Sequence, residues 1–320
     1  MYNCNKHLFP FSSYDFFDLC RKSFKWMPRR WFDGHRVFYY ENDADSSRRI
    51  LMPLIIHSKE LYLFSDLAGV GPRDFLYSSN VTDEDFLIFF ENLKDIFGNM
   101  HMFFGVLRDE SLFNKFLCGT YGRNLVINRK DSIAVKISFG DNYEEYYSKL
   151  SQNGRGNTRR MYNRLKREKV KWEFVVAETA EQRRKYFEPA INCWYERQNK
   201  VYGQHFCWLK RKYANNILAS IVGIKELGTA RIFCLKINGE LAAVETGYLA
   251  NNHSFLVPRG AMNSEYKHYS VGRVLIDQMI RYFIDKTDVR CLDLTFGDEP
   301  YKFDVGGKPY CCHSYEIRLR

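Results

Sequence analysis

The residues with the clearest capacity for chemistry stand where an apolar run ends, in the segment CLDLTFGDEPYKFDVGG at 291–307. The run closes at Phe296–Gly297 and gives way at once to two acids, a phenol and an amine: Asp298, Glu299, Tyr301 and Lys302. A carboxylate can accept a proton, a phenol can donate one, and an ammonium can hold a phosphate or carboxylate. We therefore expect acid–base chemistry at the end of this predicted strand.

The same residues also have structural interpretations. Asp298 or Glu299 can cap the following turn, because Pro300 suits its first position. Tyr301 can be packed, and Lys302 can pair with a neighbouring acid. Asp293, which shares a strand face with Thr295, is the other acid in reach, and we predict that Asp293 and Glu299 contact the substrate.

A further carboxylate lies in the run LAAVETGYL, residues 241–249. Strict alternation places Glu245 on one strand face with the small residues Ala243 and Gly247. A carboxylate between small residues on a central strand is expected either to form an ion pair or to have a catalytic role. Glu245 is either a general base or a member of an ion pair, with Lys236 or an arginine of the basic segment described below.

A short turn, Ser270–Val271–Gly272–Arg273, precedes a predicted amphipathic helix. A glycine at this point lets the backbone approach an anion, which the free N–H groups and positive end of the helix stabilise. Arg273 adds charge, so the turn is a candidate phosphate seat. The alternative is that Ser270 only caps the helix and Gly272 only shapes its entry.

Residues 155–171, RGNTRRMYNRLKREKVK, carry eight basic side chains and one acid. This segment can be a solvated helix face. It can also recognise phosphate on a nucleotide-sugar, a lipid-linked sugar or tRNA, with Arg160 and Arg164 as contacts. A helix lying in a membrane is least favoured because no continuous apolar face exists, and the absence of interleaved aromatic residues disfavours a dedicated RNA-binding module.

Length, composition and net charge limit these interpretations. The 320 residues are 45% hydrophobic and carry a net charge of +10, which favours an anionic partner. We see no signal peptide and no apolar stretch of membrane-spanning length. The nine cysteines contain no C-x-x-C pair and the histidines have no ligand spacing, so we expect a cytoplasmic protein with reduced thiols and no metal.

Alternating strand and helix signals predict an α/β protein. In the first half we predict strands at 49–56, 61–65, 101–107 and 132–138, and a helix over 82–98 that Thr82 or Asp83 caps and Gly98 ends. Asp141 is predicted to cap a further helix, which pauses near Gly154–Gly156 and continues as the basic helix, over 143–168. The domain division is placed accordingly, into 1–140 and 141–320.

The second half predicts a strand at 170–178, a helix bent or broken by Pro189, and a helix over 207–222. An antiparallel meander follows, with turns at Asn238–Gly239 and at 250–252. The chain then closes with a helix over 269–286, a strand at 290–296, a helical turn and a final strand at 309–320.

The order of the predicted elements and the residues within them resemble those of the GNAT acetyltransferase superfamily, in particular its CelD/BcsL-type branch, which is akin to the FemABX transferases. The segments that carry this resemblance are YYSKLSQNGRGNTRRMYNRLKRE (146–168), INGELAAVETGYL (237–249), YKHYSVGRVLIDQMIRY (266–282) and LDLTFGDEPYKFDVG (292–306), with SRRILMPLI (47–55) similar to an N-terminal strand of the family. Val271 stands where the family usually has proline, and of the glycine pattern of acetyl-CoA binders only Gly272 is present.

The resemblance implies tandem lobes, each a mixed, mostly antiparallel sheet flanked by helices. It implies an N- or O-acyltransferase that uses acyl-CoA, expected to be acetyl-CoA, held by residues 270–273. Glu245 or Asp298 would be the base, a backbone N–H beside residues 255–257 would polarise the carbonyl, Tyr301 would be the acid, and Lys302 would hold the acceptor. The strand at 290–296 would separate from its neighbour so that the acyl chain lies in the gap.

The association of the family with bacterial polysaccharide synthesis suggests a sugar or nucleotide-sugar acceptor. One alternative is a FemABX-like transferase that takes its acyl group from aminoacyl-tRNA and adds it to a cell-wall precursor, which the basic helix and the incomplete glycine pattern favour. Another is a non-catalytic binding module that kept the fold and lost the donor site.

Overall fold

The computed structural model describes residues 34–63, 73–98, 100–203, 227–250 and 253–319, which fall into two compact units. The first unit takes the described residues up to Ile133 and those from Cys311 onward, and the second runs from Ala134 to Tyr310. The predicted lobes, 1–140 and 141–320, stay a prediction. The predicted helix over 207–222 lies outside the described residues, as do parts of the strand at 61–65 and of the turn at 250–252.

The strands are β1 (Gly34–Glu41), β2 (Arg49–His57), β3 (Glu60–Leu63), β4 (Leu76–Tyr77), β5 (His101–Arg108), β6 (Val126–Ser138), β7 (Trp172–Ala177), β8 (Ala230–Ile237), β9 (Glu240–Ala250), β10 (Ser254–Met262), β11 (Cys291–Phe296) and β12 (Lys308–Arg318). The helices are α1 (Asp83–Phe97), α2 (Leu112–Cys118), α3 (Tyr143–Lys149), α4 (Gln152–Arg167), α5 (Ala180–Tyr202), α6 (Val271–Lys286) and α7 (Pro300–Asp304). Single 3₁₀ turns occur at Gly122–Leu125 and Ser264–Tyr269.

In the first unit the strands follow the order β1-β2-β3-β5-β12, and β4 pairs with β2. Only β3 and β5 are parallel in this set. Helix α1 covers the sheet with a stripe of apolar residues, Phe86, Phe89, Phe90 and Leu93, in the same core as the buried positions of β2. The stripe recurs at helical spacing, which is why the sequence predicts this helix correctly.

Both ends of α1 follow the prediction. Thr82 is the N-cap and forms a reciprocal capping box with Asp85, and Gly98 ends the helix with a φ of 60°. A positive φ favours glycine, so the position of Gly98 in the sequence marks the stop.

In the second unit the order is β6-β11-β10-β9-β8-β7, where β6 contributes the residues from Ala134. Only β10 and β11 are parallel. Asn238 and Gly239, both at positive φ (52° and 90°), form the turn between β8 and β9, as predicted. The fold is therefore mixed α/β, with mostly antiparallel sheet flanked by helices.

The entry to α3 and α4 differs from the prediction. Asn142, not Asp141, is the N-cap of α3, and its side chain accepts the N–H of Glu145. Asp141 instead pairs with Arg290 at 2.8 Å. The chain breaks after Leu150, where Ser151 caps α4, and the helix then continues through both glycines. Either acidic or amide side chains make good caps, so sequence alone cannot choose between adjacent candidates.

Helix α5 runs unbroken past Pro189, so of the two predicted alternatives, bent or broken, the break is wrong. Its start is fixed by a capping box between Thr179 and Gln182. Its face toward β9 and β10 carries the buried residues Ala190 and Cys193. Among the described helices, none is long and apolar enough to cross a membrane.

Candidate functional site

The parallel strands β10 and β11 stay together only briefly. They pair over Ser254–Leu256 and Cys291–Asp293, and no further pairs follow. The ladder between β9 and β10 is interrupted between Leu256 and Arg259. The two strands therefore open in the direction of Phe296, as the sequence-based interpretation of this segment expects.

Thr295 shapes the open end of β11. This β-branched residue has a φ of 54°, in the left-handed region that L side chains rarely adopt. The carboxylate of Asp293 holds it there by accepting the N–H of Thr295 at 2.8 Å, and the Thr295 hydroxyl donates to the Val257 carbonyl. Backbone strain of this kind is stored preferentially at functional sites.

A cavity of about 380 Å³ occupies the opening and lies within the second unit. Its walls bring together the catalytic candidate Glu245 of β9, the two catalytic candidates Tyr301 and Lys302 of α7, and three of the four phosphate-seat candidates at the start of α6. The lining residues are Arg197, Glu245, Val257, Pro258, Gly260, Ala261, Met262, Lys267, Ser270, Gly272, Arg273, Ile276, Leu294, Thr295, Phe296, Glu299, Tyr301, Lys302 and Val305.

Glu245 lies opposite Gly260 in the pairing of β9 with β10. A Cβ atom at Gly260 would come within 2.2–2.4 Å of all three atoms of the Glu245 carboxyl group, so the glycine leaves the space that this carboxylate fills. Glu245 makes no hydrogen bond or ion pair with any residue that the structure describes, including Lys236, which pairs with Glu173. Burial raises the pKa of Glu245 to about 8, against the opposing charges of Arg197 and Lys302.

Tyr301 stands on α7 at the mouth of the cavity. It is 46% exposed, and its hydroxyl has no hydrogen-bond partner within the described part of the chain. Desolvation raises the pKa of the phenol above its usual range, and the negative charges of Glu245 and Glu299 add to the effect. Tyr301 therefore stays protonated at neutral pH and is available as a proton donor.

Lys302 is placed differently from its neighbour. It is 2% exposed, and its ammonium donates to the carbonyls of Thr295, Phe296 and Gly297. It also pairs with Glu299 at 3.0 Å, as the structural interpretation of Lys302 in the sequence analysis predicted. Although burial of Glu299 opposes it, a backbone hydrogen bond and Lys302 hold the pKa of Glu299 below its ordinary value.

The donor-seat candidates form the N-terminus of α6. Ser270 occupies the N-cap position with a φ of 56° and makes no side-chain cap bond, so the capping alternative is not realised. The N–H groups of Val271 and Gly272 make no hydrogen bond to a described residue. A Cβ at Gly272 would meet only the Met262 sulfur, at 3.8 Å, so the backbone here faces open space.

Arg273 completes this end of the cavity. Its Nη2 donates to Asp304 at 2.6 Å, whereas its Nη1 is buried without a hydrogen-bond partner in the described residues. The first turn of α6 contains no acid. Orphan N–H donors, a positive helix end and an unsatisfied guanidinium nitrogen together fit a phosphate or diphosphate group.

The remaining predicted residues lie outside the cavity lining. Val271 is fully buried beneath the turn, and Asp298 is exposed but not a cap, since Glu299 holds the N-cap position of α7. Asp293 is buried, with its second oxygen accepting the Tyr310 hydroxyl at 2.8 Å. Arg160 and Arg164 are exposed on α4.

Helix α4 is clamped to α6 through the buried carboxylate of Asp277. That carboxylate accepts the hydroxyls of Tyr143 at 2.5 Å and Tyr162 at 2.6 Å and pairs with Arg281 at 3.0 Å. Arg164 also donates to the His268 carbonyl, next to the lining residue Lys267. The basic face of α4 thus has a fixed position beside the donor end of the cavity.

Arg197 is the lining residue that the sequence interpretation missed. Its Nη1 donates to the Gly260 carbonyl at 3.0 Å, beside Glu245. A signal existed, because Arg197 continues at helical spacing the stripe formed by the buried residues Ala190 and Cys193 and the half-buried Trp194. A charged residue at the end of an apolar stripe indicates a pocket or a helix end. Within the residues described, no group of histidine, cysteine and carboxylate side chains could hold a metal ion.

One family model matches part of the chain. Residues 152–303 match the family model described as an acetyltransferase (GNAT) domain, a range that contains Arg197, Glu245, the α6 turn and Tyr301. That match supports acyltransferase activity. No curated protein matches the sequence.

Solved structures share the fold over most of the chain. A conserved protein of unknown function from Bacteroides thetaiotaomicron VPI-5482 has 11% identity and a TM-score of 0.59, covering 95% of this chain and 90% of that one. The C-terminal domain of a putative lysylphosphatidylglycerol synthetase from Agrobacterium fabrum has 8% identity and a TM-score of 0.55, covering 88% and 84%. FemX has 9% identity and a TM-score of 0.54, covering 97% and 93%. At these identities the likeness shows the fold alone.

Proposed function

We propose that the chain is an acyltransferase that moves an acyl group, acetyl in the simplest case, from acyl-CoA to an amine or hydroxyl acceptor. One observation carries the proposal. A single cavity combines a carboxylate of raised pKa, a phenol and an open helix N-terminus, all three without a hydrogen-bond partner among the residues that the structure describes. The family match over residues 152–303 supports the same reaction class.

The residues at the α6 turn would hold the diphosphate of the donor. The N–H groups of Val271 and Gly272 and the Nη1 of Arg273, which has no partner in the described part of the chain, supply donors for it, and Ser270 leaves them uncovered. In acyl-CoA the acyl group is activated as a thioester of the coenzyme A sulfur. The gap between β10 and β11 accommodates the acyl chain, with the backbone N–H of Val257 as a candidate donor to the reacting carbonyl oxygen.

Glu245 would accept the proton of the attacking amine or hydroxyl, because a base whose pKa is about 8 is partly ionised near neutral pH and strong enough to take it. Tyr301 would donate a proton to the leaving sulfur. Lys302 would act as a positioning residue, since its bonds to three carbonyls fix the turn that carries Tyr301. Asp298 has no comparable support.

The finer assignments belong to the same proposal. A CelD/BcsL-type role with a sugar or nucleotide-sugar acceptor, in a cytoplasmic protein, rests on sequence resemblance. Fold-level analogy does not fix a substrate, so the acceptor must be tested directly.

The deciding experiment is a thermal-shift titration with acetyl-CoA, coenzyme A and desulfo-CoA. A ligand present at about 100 times its dissociation constant stabilises a fold by roughly 2.7 kcal/mol. We expect stabilisation by all three, lost in Gly272→Glu because the new carboxylate enters the open space before the turn. Absence of any shift with wild-type protein would overturn the acyl-CoA assignment.

A second candidate function is aminoacyl transfer from tRNA to a cell-wall precursor. The exposed basic face of α4 beside the cavity favours it, and the fold likeness to FemX is compatible with it. Retention of tRNA at low salt, falling steeply between about 50 and 200 mM, would support this function. The non-catalytic alternative requires Glu245→Gln and Tyr301→Phe to be without effect on cellular function.

A further inference from the structure

The cavity has two ends with different cations. Lys267 and Arg273 lie just before and within the α6 turn, which we call the donor end, whereas the charges of Arg197 and Glu245 both act on Tyr301, at what we call the acceptor end. The Nη1 bond to the Gly260 carbonyl holds the Arg197 guanidinium beside Glu245, because Gly260 is the residue against which that carboxylate packs. The acceptor end therefore presents a cation next to the proposed base.

Two other cations of the cavity are already engaged in ion pairs, and the third, Lys267, lies at the donor end. Lys302 is enclosed by three carbonyls and Glu299, and Arg273 pairs with Asp304 at 2.6 Å. Arg197 is exposed and forms no ion pair with a carboxylate of the described chain. Its remaining guanidinium N–H groups can bind an oxyanion in the bidentate manner typical of arginine.

We propose that Arg197 is the seat for an anionic group of the acceptor, so that the substrate class is a small amine or alcohol that also carries a carboxylate or phosphate. The role predicted for Lys302 thereby moves to Arg197. The inference rests on the proposed function, since it names the acceptor of the same site. Binding the anion at Arg197 places the nucleophile of the acceptor beside Glu245.

Electrostatics add a second consequence. The charge of Arg197 lowers the pKa of Glu245 against the effect of burial. An acceptor anion bound to Arg197 would offset that charge and make Glu245 a stronger base when the acceptor is in place.

The test uses matched probes on the full chain saturated with coenzyme A, which fills the donor end. Glucosamine 6-phosphate is compared with glucosamine, and glycine with glycinamide, by calorimetric binding to this complex and, in separate samples without added coenzyme A, by thiol release from acetyl-CoA. We expect the anionic member of at least one pair to bind at least about tenfold more tightly, and the phosphate and carboxylate arms separate the two anion types. Arg197→Met should remove that preference, and Arg197→Lys should restore part of it.

Lys200→Met is the control, because Lys200 lies one turn along the same helix and bonds to Ser264 outside the cavity lining. It should keep the anionic preference. Equal affinity for both members of every pair in wild-type protein, or a preference that survives Arg197→Met, would overturn the inference. A failure of the proposed function is distinct, since it would appear as absent stabilisation by coenzyme A and is measured separately.

Discussion

At the scale of single residues, Glu245 sets the expected pH dependence. Its pKa of about 8 means that the ionised, proton-accepting form accumulates as the pH rises through that value. We expect kcat/KM to rise between about pH 6 and pH 9 with an inflection near 8, and Glu245→Gln to lose the pH-dependent activity. A profile that is flat over this range in wild-type protein would contradict the role of base.

The same carboxyl group links pH to stability. Because the pKa of Glu245 is raised in the fold, the folded state binds the proton more tightly than the unfolded chain does. The stabilisation is complete below the ordinary glutamate pKa and is lost as the pH rises through about 8. Glu245→Gln should therefore unfold at a higher temperature than wild type at pH 9, with the difference shrinking toward pH 5, as thermal melts across that range would reveal.

Gly260 is expected to matter for activity more than for folding. Its Cβ would enter the Glu245 carboxyl group at 2.2 Å, so Gly260→Ala should displace the carboxylate and lower the rate of acyl transfer while leaving stabilisation by coenzyme A intact. Gly34→Ala is the matched control, since Gly34 is also in a strand and a Cβ there meets nothing within 4 Å. Equal rates in both variants would show that the Gly260 contact is not functional.

At the scale of elements, the cap of α3 offers a direct comparison of adjacent residues. Asn142 accepts the Glu145 N–H, so Asn142→Ala should lower the free energy of unfolding by about 1 kcal/mol. Asp141 makes one exposed ion pair, and Asp141→Ala should change the free energy of unfolding by less than about 0.5 kcal/mol. Urea unfolding of the two variants measures both values, and the reverse order would contradict the cap assignment.

The elements also show how far sequence reasoning reaches. Helix α1 and the Asn238–Gly239 hairpin follow from signals that lie within one segment, namely apolar spacing, a capping box and positive-φ residues. Glu245, Tyr301 and the α6 turn were predicted one by one from their own segments. Only the family resemblance predicted that they lie together, as they do in one cavity.

Other features were not predictable for physical reasons. Helical spacing indicates which side of α5 carries Arg197, but its place beside Glu245 depends on the register between α5 and the neighbouring strands, which no local pattern encodes. The enclosure of Lys302 depends on three carbonyls that converge only when β11 ends in the strained conformation of Thr295. The roles of these residues remain predictions to be tested.

At the scale of the whole molecule, each unit contains one pair of parallel strands with a helix between them in the described chain, α1 between β3 and β5 and α6 between β10 and β11. The helices differ where a donor would bind. The first turn of α1 contains Asp83, Glu84 and Asp85 and is closed by the Thr82 capping box, whereas the first turn of α6 has no acid and no side-chain cap. Three carboxylates at a helix start repel a diphosphate.

We therefore expect one molecule of coenzyme A to bind per chain, at α6. Isothermal calorimetry should give a stoichiometry near one, and Gly272→Glu should reduce it to none. A stoichiometry near two would show that the first unit also provides a seat and would contradict the argument from the charge of α1.

The position of β12 in the chain affects how the first unit folds during synthesis on the ribosome. Residues 311–318 of β12 complete the sheet of the first unit by pairing with β5. They are synthesised only after the whole second unit, so the edge of β5 stays unpaired until that unit has been translated. The first unit therefore cannot complete its fold during synthesis before residue 311 has been added. A nascent chain stalled before that residue exposes a strand edge that a chaperone would need to shield.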